Sequence, residues 1–158
     1  MEIDGIGKVK EYYNNGLLKF EGEYLNGKKK GKEYYESGKL KFEGEYLKDK
    51  RNGKGKEYYE NGNLEFEGEY LNGERNGKGK VYSQNGELIF EGVYLNGYRW
   101  NGKGKYYENN KLVFEGEYLN GERWNGKERQ YSNSGKLKLE GEYLNGKKKP
   151  RNILIVAN

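Results

Sequence analysis

The sequence predicts an all-β protein, an elongated single-layer antiparallel meander of about six tandem β-hairpins that forms a twisted rod or a shallow trough. Three observations lead to this prediction. A phrase close to FEGEYLNG recurs six times, with its first glycines 22 to 25 residues apart. The residues around each copy alternate between apolar and charged, which is typical of a half-buried strand. Asn-Gly dipeptides, which favour tight hairpin turns, separate many of the alternating runs.

The repeats occupy residues 7–149 of a single domain, and both ends depart from the pattern. The phrase begins at Phe20, Phe42, Phe66, Phe90, Phe114 and Leu139. Since terminal units of repeat proteins act as caps, residues 1–6 are predicted to form an N-terminal cap and residues 150–158 a C-terminal capping strand. The apolar run ILIV at 153–156 leaves a second interpretation open, a tail that docks on a partner by adding a strand.

Each repeat is predicted to contain two strands, and the third copy of the phrase shows the pattern best. Its apolar positions are expected on one face: Leu64, Phe66, Gly68 and Tyr70. Its acidic positions are expected on the other: Glu65, Glu67 and Glu69. The glycine should leave room for a stacked ring, and the glutamates should pair across strands with the lysines of the GKGK phrases.

Two turns per repeat complete the hairpins. Asn61-Gly62 is predicted to form a type I′ turn, in which both central residues have positive φ. A second turn is expected after each EYL, as at Asn72-Gly73. No segment has the 3.6-residue apolar period of a helix, so twelve strands and no helices are expected.

The composition excludes several classes of function. Of 158 residues, 35% are charged, and the mean hydropathy is −1.28. The 17 tyrosines and the regular spacing of the 26 glycines nevertheless favour an ordered chain over a disordered one. The net charge of +5 comes from interleaved acidic and basic residues, whereas a nucleic-acid-binding surface concentrates basic ones, so we predict no nucleic-acid partner.

Enzymatic chemistry finds little support in the sequence. Histidine and cysteine are absent, which excludes Ser-His and Cys-His nucleophilic sites and thiolate metal sites. The run from Gly22 to Lys28 has the spacing of a phosphate-binding loop, but Lys29 stands where Ser or Thr is needed, and no helix follows. We therefore predict no catalytic residues, no metal and no cofactor.

These residues resemble the MORN repeat, whose unit is an aromatic residue, Gly and a second aromatic residue, followed by Gly and a Gly-x-Gly motif. Here the unit reads Phe66-Glu-Gly68-Glu-Tyr70-Leu-Asn-Gly73, then Gly77-Lys-Gly79. The wording KEYYENGNLEFEGEY is closest to a bacterial MORN-like variant that includes antitoxin and immunity-type proteins. The resemblance implies a β-hairpin scaffold that binds other molecules without catalysis.

The expected partner is a protein, bound by the aromatic face or by an edge that carries the only two tryptophans. Trp100 and Trp124 are 24 residues apart, each in RWNG, and each accompanies an extra residue relative to other repeats. Tryptophan, tyrosine and arginine are enriched in binding hot spots, although packing over a turn would also explain the tryptophans. The candidate residues are Trp100, Trp124, Tyr98, Arg99, Arg123, Tyr70, Tyr94 and Tyr118.

Two lysine runs suggest an alternative, a peripheral module that contacts an anionic membrane surface. The runs are Lys28, Lys29 and Lys30, and Lys147, Lys148 and Lys149. Both are also explained as solvated turns. Exposed end strands make edge or end-to-end self-association a further expectation. With no apolar leader visible, a cytoplasmic location is predicted.

Overall fold

A computed structural model describes residues 7–25 and 28–150, leaving aside the side chains of residues 25 and 150. All regular structure in these residues is β-strand, and thirteen strands form one open sheet in chain order, with each described pair of neighbours antiparallel. The strands are β1 Gly7–Tyr12, β2 Leu18–Leu25, β3 Lys28–Tyr34, β4 Leu40–Leu47, β5 Lys50–Tyr58, β6 Leu64–Leu71, β7 Glu74–Tyr82, β8 Leu88–Leu95, β9 Tyr98–Glu108, β10 Lys111–Leu119, β11 Glu122–Tyr131, β12 Leu137–Leu144 and β13 Lys147–Pro150.

The all-β meander is confirmed, with the twelve strands expected for six hairpins and a thirteenth that begins three residues before the capping strand predicted at 150–158. The additional strand, β13, begins at Lys147 and pairs with β12 as far as Gly141 opposite Pro150. It therefore starts inside the segment predicted as the last turn. The predicted N-terminal cap, the rest of the C-terminal cap and the Asn26-Gly27 turn lie outside the described residues.

The type I′ prediction is wrong for Asn61-Gly62, whereas the second turn, at Asn72-Gly73, has the backbone that type I′ requires. At Gly62 only the glycine has positive φ, and its N–H donates to the Tyr59 carbonyl oxygen at 2.8 Å. This is a type I turn followed by a left-handed glycine, which shifts the register between Glu57 and Tyr58. At the second turn, Asn72 and Gly73 have φ of 53° and 96°, so both central residues are left-handed.

The core is a single row of edge-to-face rings on one face of the sheet. Each buried tyrosine packs on the phenylalanine of its own strand and on that of the preceding repeat. Tyr70 lies 5.4 Å from Phe66 and 5.3 Å from Phe42 between ring centroids. Such pairs stabilise beyond their buried area. The row contains Phe20, Tyr46, Phe42, Tyr70, Phe66, Tyr94, Phe90, Tyr118, Phe114 and Tyr143.

Glycine makes the single-layer core possible, as predicted. A Cβ atom built on Gly68 would lie 2.6 Å from the Phe66 ring, 2.6 Å from the Lys78 carbonyl oxygen and 2.7 Å from the Gly79 Cα. Only glycine can occupy this position without displacing the ring or the next strand. The phenylalanine ring thus lies flat over backbone and is fully buried without a second layer.

The opposite face carries the predicted charge pairs. Glu67 lies between Lys56 and Lys80 in the strand register, and Lys80 Nζ is 3.3 Å from the carboxylate of Glu91. A groove of about 1020 Å³ crosses this face over β2 to β8, lined by glycine backbone and by alternating Glu and Lys side chains.

One acidic residue, Glu65, lies on the ring face and not on the opposite face where it was predicted. Tyr58 pairs with Leu64 and Glu57 with Phe66, so Glu65 has no partner on β5 and forms a β-bulge. Its carboxylate reaches the ring face and accepts from Arg75 at 2.7 Å. The β-bulge breaks strict alternation and redirects the side chain.

Candidate functional site

Each phenylalanine of the core is covered by a cation from the following strand. The Arg51 guanidinium carbon lies 4.1 Å from the Phe42 ring centroid, and that of Arg75 lies 4.4 Å from the Phe66 centroid. Lys29, Arg99 and Arg123 cover Phe20, Phe90 and Phe114 in the same way. These contacts are cation–π interactions that also shield the rings from water.

Most of these cations are held by carboxylates. Arg51 donates to Glu33 at 2.9 Å and also bonds Glu57. Arg75 bonds Glu57 and donates to Glu65 at 2.7 Å. Desolvation would lower the pKa of Arg75, but the carboxylates of Glu57 and Glu65 outweigh it and raise that pKa. The guanidinium is thus satisfied in both charge and hydrogen bonding.

Lys29 and Arg123 have carboxylate partners as well. Lys29 Nζ lies 3.1 Å from Glu11 and 3.5 Å from Asp49. Arg123 donates to Glu128 at 2.9 Å. Glu128 also forms an ion pair with Lys148.

Arg99 is the exception. The two positions equivalent to those whose carboxylates bind Arg75 carry aliphatic residues here. Arg75 is bound by residues 57 and 65, and the same positions one 24-residue repeat later are Val81 and Ile89. In the described part of the chain, Arg99 forms no ion pair; its guanidinium donates to the Lys105 carbonyl oxygen at 2.9 Å and lies against the Tyr94 hydroxyl. A half-buried guanidinium is therefore left without a counter-charge.

The Tyr94 hydroxyl, buried beside Arg99, is also unsatisfied. Tyr94 is 3% exposed, and its hydroxyl has no hydrogen-bond partner among the described residues. The equivalent Tyr46 donates to Glu33 at 2.8 Å. Thirteen residues before Tyr94 stands Val81, where Tyr46 has Glu33. Burial raises the pKa of Tyr94, against the opposing charge of Arg99, so the hydroxyl remains a donor at neutral pH.

The two tryptophans lie at one edge of the sheet, the row of strand ends joined by turns such as Asn72-Gly73. Trp100 is the extra residue of β9 where Tyr94 pairs with Arg99 and Val93 with Asn101. Its ring lies over Gly121, whose N–H donates to the Trp100 carbonyl oxygen at 2.9 Å. Trp124 has the same relation to Gly146. Both side chains are half-buried, so each ring packs over the next turn and keeps one part in solvent.

The same edge exposes more apolar surface than the sequence suggested. Tyr98 is 76% exposed and pairs with the exposed Leu95 across the turn. The leucines before the other turns are exposed as well: Leu47, Leu71, Leu119 and Leu144. Because these leucines recur once per repeat, they resemble core positions in sequence. Their place directly before a turn is the signal that could have identified them.

Several candidates are not where the sequence placed them. Tyr70 and Tyr94 are 4% and 3% exposed, so their rings belong to the core. Tyr118 is half-buried in the same row. The aromatic face is thus largely internal. Tyr98, Arg99, Trp100, Arg123 and Trp124 remain at or near the surface.

The lysine runs lie in strands, which corrects the expectation of solvated turns. Along β3, Lys28 and Lys30 are exposed, but Lys29 is 7% exposed and sealed between carboxylates and the Phe20 ring. Lys29 is unavailable to a lipid headgroup. In β13, Lys147, Lys148 and Lys149 are all exposed.

Nothing in the described residues suggests a metal centre or a membrane-spanning helix. No group of three or more acidic side chains within 7–25 and 28–150 is arranged to hold a metal ion. The same ranges contain no helix that has the length and apolar character needed to cross a bilayer.

The geometry defines an open β-hairpin repeat array, and comparison with known families names it. A family model described as the MORN repeat matches residues 42–64 and 66–87. A second, the MORN repeat variant, matches residues 6–26, 29–48, 101–120 and 124–145, which is more than half of the chain. The chain belongs to the MORN-repeat family. A search of curated proteins found no match.

The matched segments leave residues 88–100 between them. This stretch contains Ile89, Tyr98, Arg99 and Trp100. It includes β8, the strand that pairs with the strand of Val81. The segment between the matches is thus the one in which the contacts of the array change. The family assignment is consistent with a non-enzymatic repeat scaffold.

Proposed function

We propose that this protein is a non-enzymatic MORN-repeat scaffold that binds a protein partner at the edge formed by Tyr98, Trp100 and Trp124. The observation that carries the proposal is the 76% exposure of Tyr98, at the same ends of the strands as two tryptophans fixed over glycine turns. Rigid aromatic groups contribute contact area at a low entropic cost, and aromatic and arginine anchors dominate binding hot spots.

The proposed surface is pre-organised by the array. The Gly121 and Gly146 N–H groups tie each turn to the carbonyl of Trp100 or Trp124 in the preceding hairpin. Leu95 and Leu119 extend the apolar area along the same edge. A partner would therefore meet a surface whose shape is set before binding.

Two narrower roles follow from the sequence. Neutralisation of a toxin by surface occlusion would be one form of this protein binding and would use the same edge. Contact with an anionic membrane receives less support, because Lys29 is buried and the neighbouring lysines of β3 share their faces with glutamates. A cytoplasmic location is part of the proposal.

The test is an affinity capture with quantitative mass spectrometry, comparing the wild type with the Trp100→Ala/Trp124→Ala variant and with Tyr98→Ser. We expect captured proteins that are depleted about ten-fold by either change, as for loss of a hot spot. Tyr98→Ser is included because its side chain is mostly in solvent and the change leaves the core intact.

The matched control is Leu17→Ala, since Leu17 is exposed at the opposite edge of the sheet. This variant should capture the same proteins as the wild type. Far-UV circular dichroism should be unchanged for all variants. Identical partner lists for the wild type, the tryptophan variant and Tyr98→Ser would overturn the proposal.

A further inference from the structure

The part of the ring face around Phe90, between the copies of the phrase that begin at Phe66 and Phe114, lacks a carboxylate that the rest of the ring face has. In repeat two, the Glu33 carboxylate accepts from Arg51 at 2.9 Å and from the Tyr46 hydroxyl at 2.8 Å. The pair that corresponds to Arg51 and Tyr46 two repeats later is Arg99 and Tyr94, and Val81 replaces the glutamate. The donors are present, and the acceptor is absent from the described residues.

The second source of negative charge is missing as well. Where Glu65 accepts from Arg75, Ile89 stands one repeat later. The Tyr70 hydroxyl is also without a hydrogen bond, but Tyr70 lies near Glu57, whose oxygens are taken by Arg51 and Arg75. Within residues 7–25 and 28–150, no carboxylate is bonded to Tyr94 or Arg99. Leaving a buried donor and a half-buried cation unpaired is unfavourable, so an external acceptor would be stabilised there.

We infer that Arg99 and Tyr94 form a binding site for a carboxylate, supplied by an aspartate or glutamate side chain of the protein partner. The inference rests on the proposed function and adds the chemistry of the bound residue. The ligand would bind the Arg99 guanidinium on the side where Glu33 binds Arg51, and it would reach the buried Tyr94 hydroxyl by displacing the side chains that cover it. Because arginine binds carboxylates in a planar, two-bond geometry, a carboxylate suits the site that neighbouring repeats have built for one.

The position of the site fits a partner at the proposed edge. Arg99 precedes Trp100, whose half-buried ring covers the turn at Gly121, so a segment whose acidic side chain reaches Arg99 from this end of the strands would pass that ring, whereas Tyr98 points to the opposite face. The aliphatic side chains of Val81 and Ile89 lower the local polarity, which strengthens the charged hydrogen bonds. The partner segment would therefore combine an acidic residue with apolar neighbours.

The test follows the Nε–Hε NMR signals of the arginines during titration with sodium acetate, with sodium chloride and sodium phosphate at equal ionic strength. Arg99→Lys assigns the Arg99 signal by its loss. We expect a saturable acetate response at Arg99 about ten times that at Arg75, because Arg75 already donates to two carboxylates. Chloride should give no saturable response.

Two variants at one position provide the matched comparison. Val81→Glu restores the internal carboxylate, so the Arg99 signal should be shifted from the start and acetate should no longer move it. Val81→Leu keeps the site apolar and should keep the acetate response. In the affinity capture, Val81→Glu should lose the proteins that the tryptophan variant loses, and Val81→Leu should retain them.

Each result has a defined meaning. No saturable response of Arg99 to acetate, or an equal response in Val81→Glu, would overturn the inference. A larger response to phosphate than to acetate would replace it with a phosphate site. Retention of the captured partner by Val81→Glu would overturn the inference that the partner supplies an acidic residue. The acetate titration needs no partner, so its failure is separate from failure of the proposed function.

Discussion

Phe66 and Tyr94 belong to successive repeats, and their rings meet edge to face with centroids 5.4 Å apart and planes at 89°. Phe66 also contacts Tyr70 of its own strand and lies under Arg75. One ring therefore joins two repeats and a cation. Loss of that ring should weaken the connection between repeats as well as the repeat itself.

We expect Phe66→Ala to lower the free energy of unfolding by about 3–5 kcal/mol, since it removes a fully buried ring that cannot be replaced by neighbouring atoms. Urea unfolding followed by far-UV circular dichroism measures the change. Leu71→Ala is the control, because Leu71 is 50% exposed and should change stability by less than about 0.5 kcal/mol. Equal effects of the two changes would contradict the ring row as the core.

Gly68→Ala should destabilise the array by about 1–3 kcal/mol, because the added methyl meets the Phe66 ring and the backbone of β7. Thermal unfolding provides the measurement. Gly141 holds the same position in the last repeat, where Leu139 replaces phenylalanine, and a Cβ there would first meet the Lys149 carbonyl oxygen at an ordinary 3.5 Å. Gly141→Ala should therefore be tolerated. A loss of stability as large as that in Gly68→Ala would argue against ring contact as the cause.

The two turn types predict different costs for the same substitution. Asn72→Ala should lose about 1 kcal/mol, because alanine is strained at the φ of 53° that Asn72 adopts. Asn85→Ala should be close to neutral, since Asn85 precedes the left-handed Gly86 without itself having positive φ. Neither side chain makes a hydrogen bond within the described residues, so the comparison isolates the backbone. Urea unfolding that ranks the two variants in the reverse order would refute the turn assignment.

Stability should depend on pH through Glu33. Burial alone would raise the pKa of Glu33, but the hydrogen bond and charge of Arg51, with the Tyr46 hydroxyl, outweigh burial and lower it. A lowered folded-state pKa gives stability that is present above the unfolded pKa of about 4.3 and is lost as pH falls through the folded value.

Glu33→Gln should therefore be less stable than the wild type at pH 7, by about 1–3 kcal/mol, and the difference should shrink as the pH falls below about 4. Urea unfolding across this pH range measures it. Glu60→Gln, in an exposed turn, serves as the control at pH 7. A constant difference between wild type and Glu33→Gln at every pH would contradict the ion pair as its origin.

Most of the fold could be predicted from local pattern. Alternation around Phe66, the glycine at 68 and the spacing of the repeats were sufficient for the strands and for the ring face. The type of the turn at Asn61-Gly62 could not be predicted, because an Asn-Gly pair suits both turn types. The number of residues between the paired strand positions decides which type forms. Glu65 was misplaced for a related reason: a bulge depends on the partner strand's register.

The candidate site was only partly predictable. Tyr98 and Trp100 were noticed because they interrupt the repeat visibly. Val81 and Ile89 were not, since an aliphatic residue in a strand is unremarkable by itself. Their meaning depends on knowing that Glu57 and Glu65 bind an arginine, which only the three-dimensional structure reveals.

The row of rings has a direction, because each tyrosine packs on the phenylalanine of the repeat before it. Contacts between early repeats are interchangeable, and each repeat adds two strands, or about 9.6 Å across the sheet. Gain or loss of a whole early unit would therefore change the distance between β1 and Tyr98 in equal steps while the surroundings of Arg99 stay the same. The reach of the molecule and the chemistry of its binding edge can thus evolve independently.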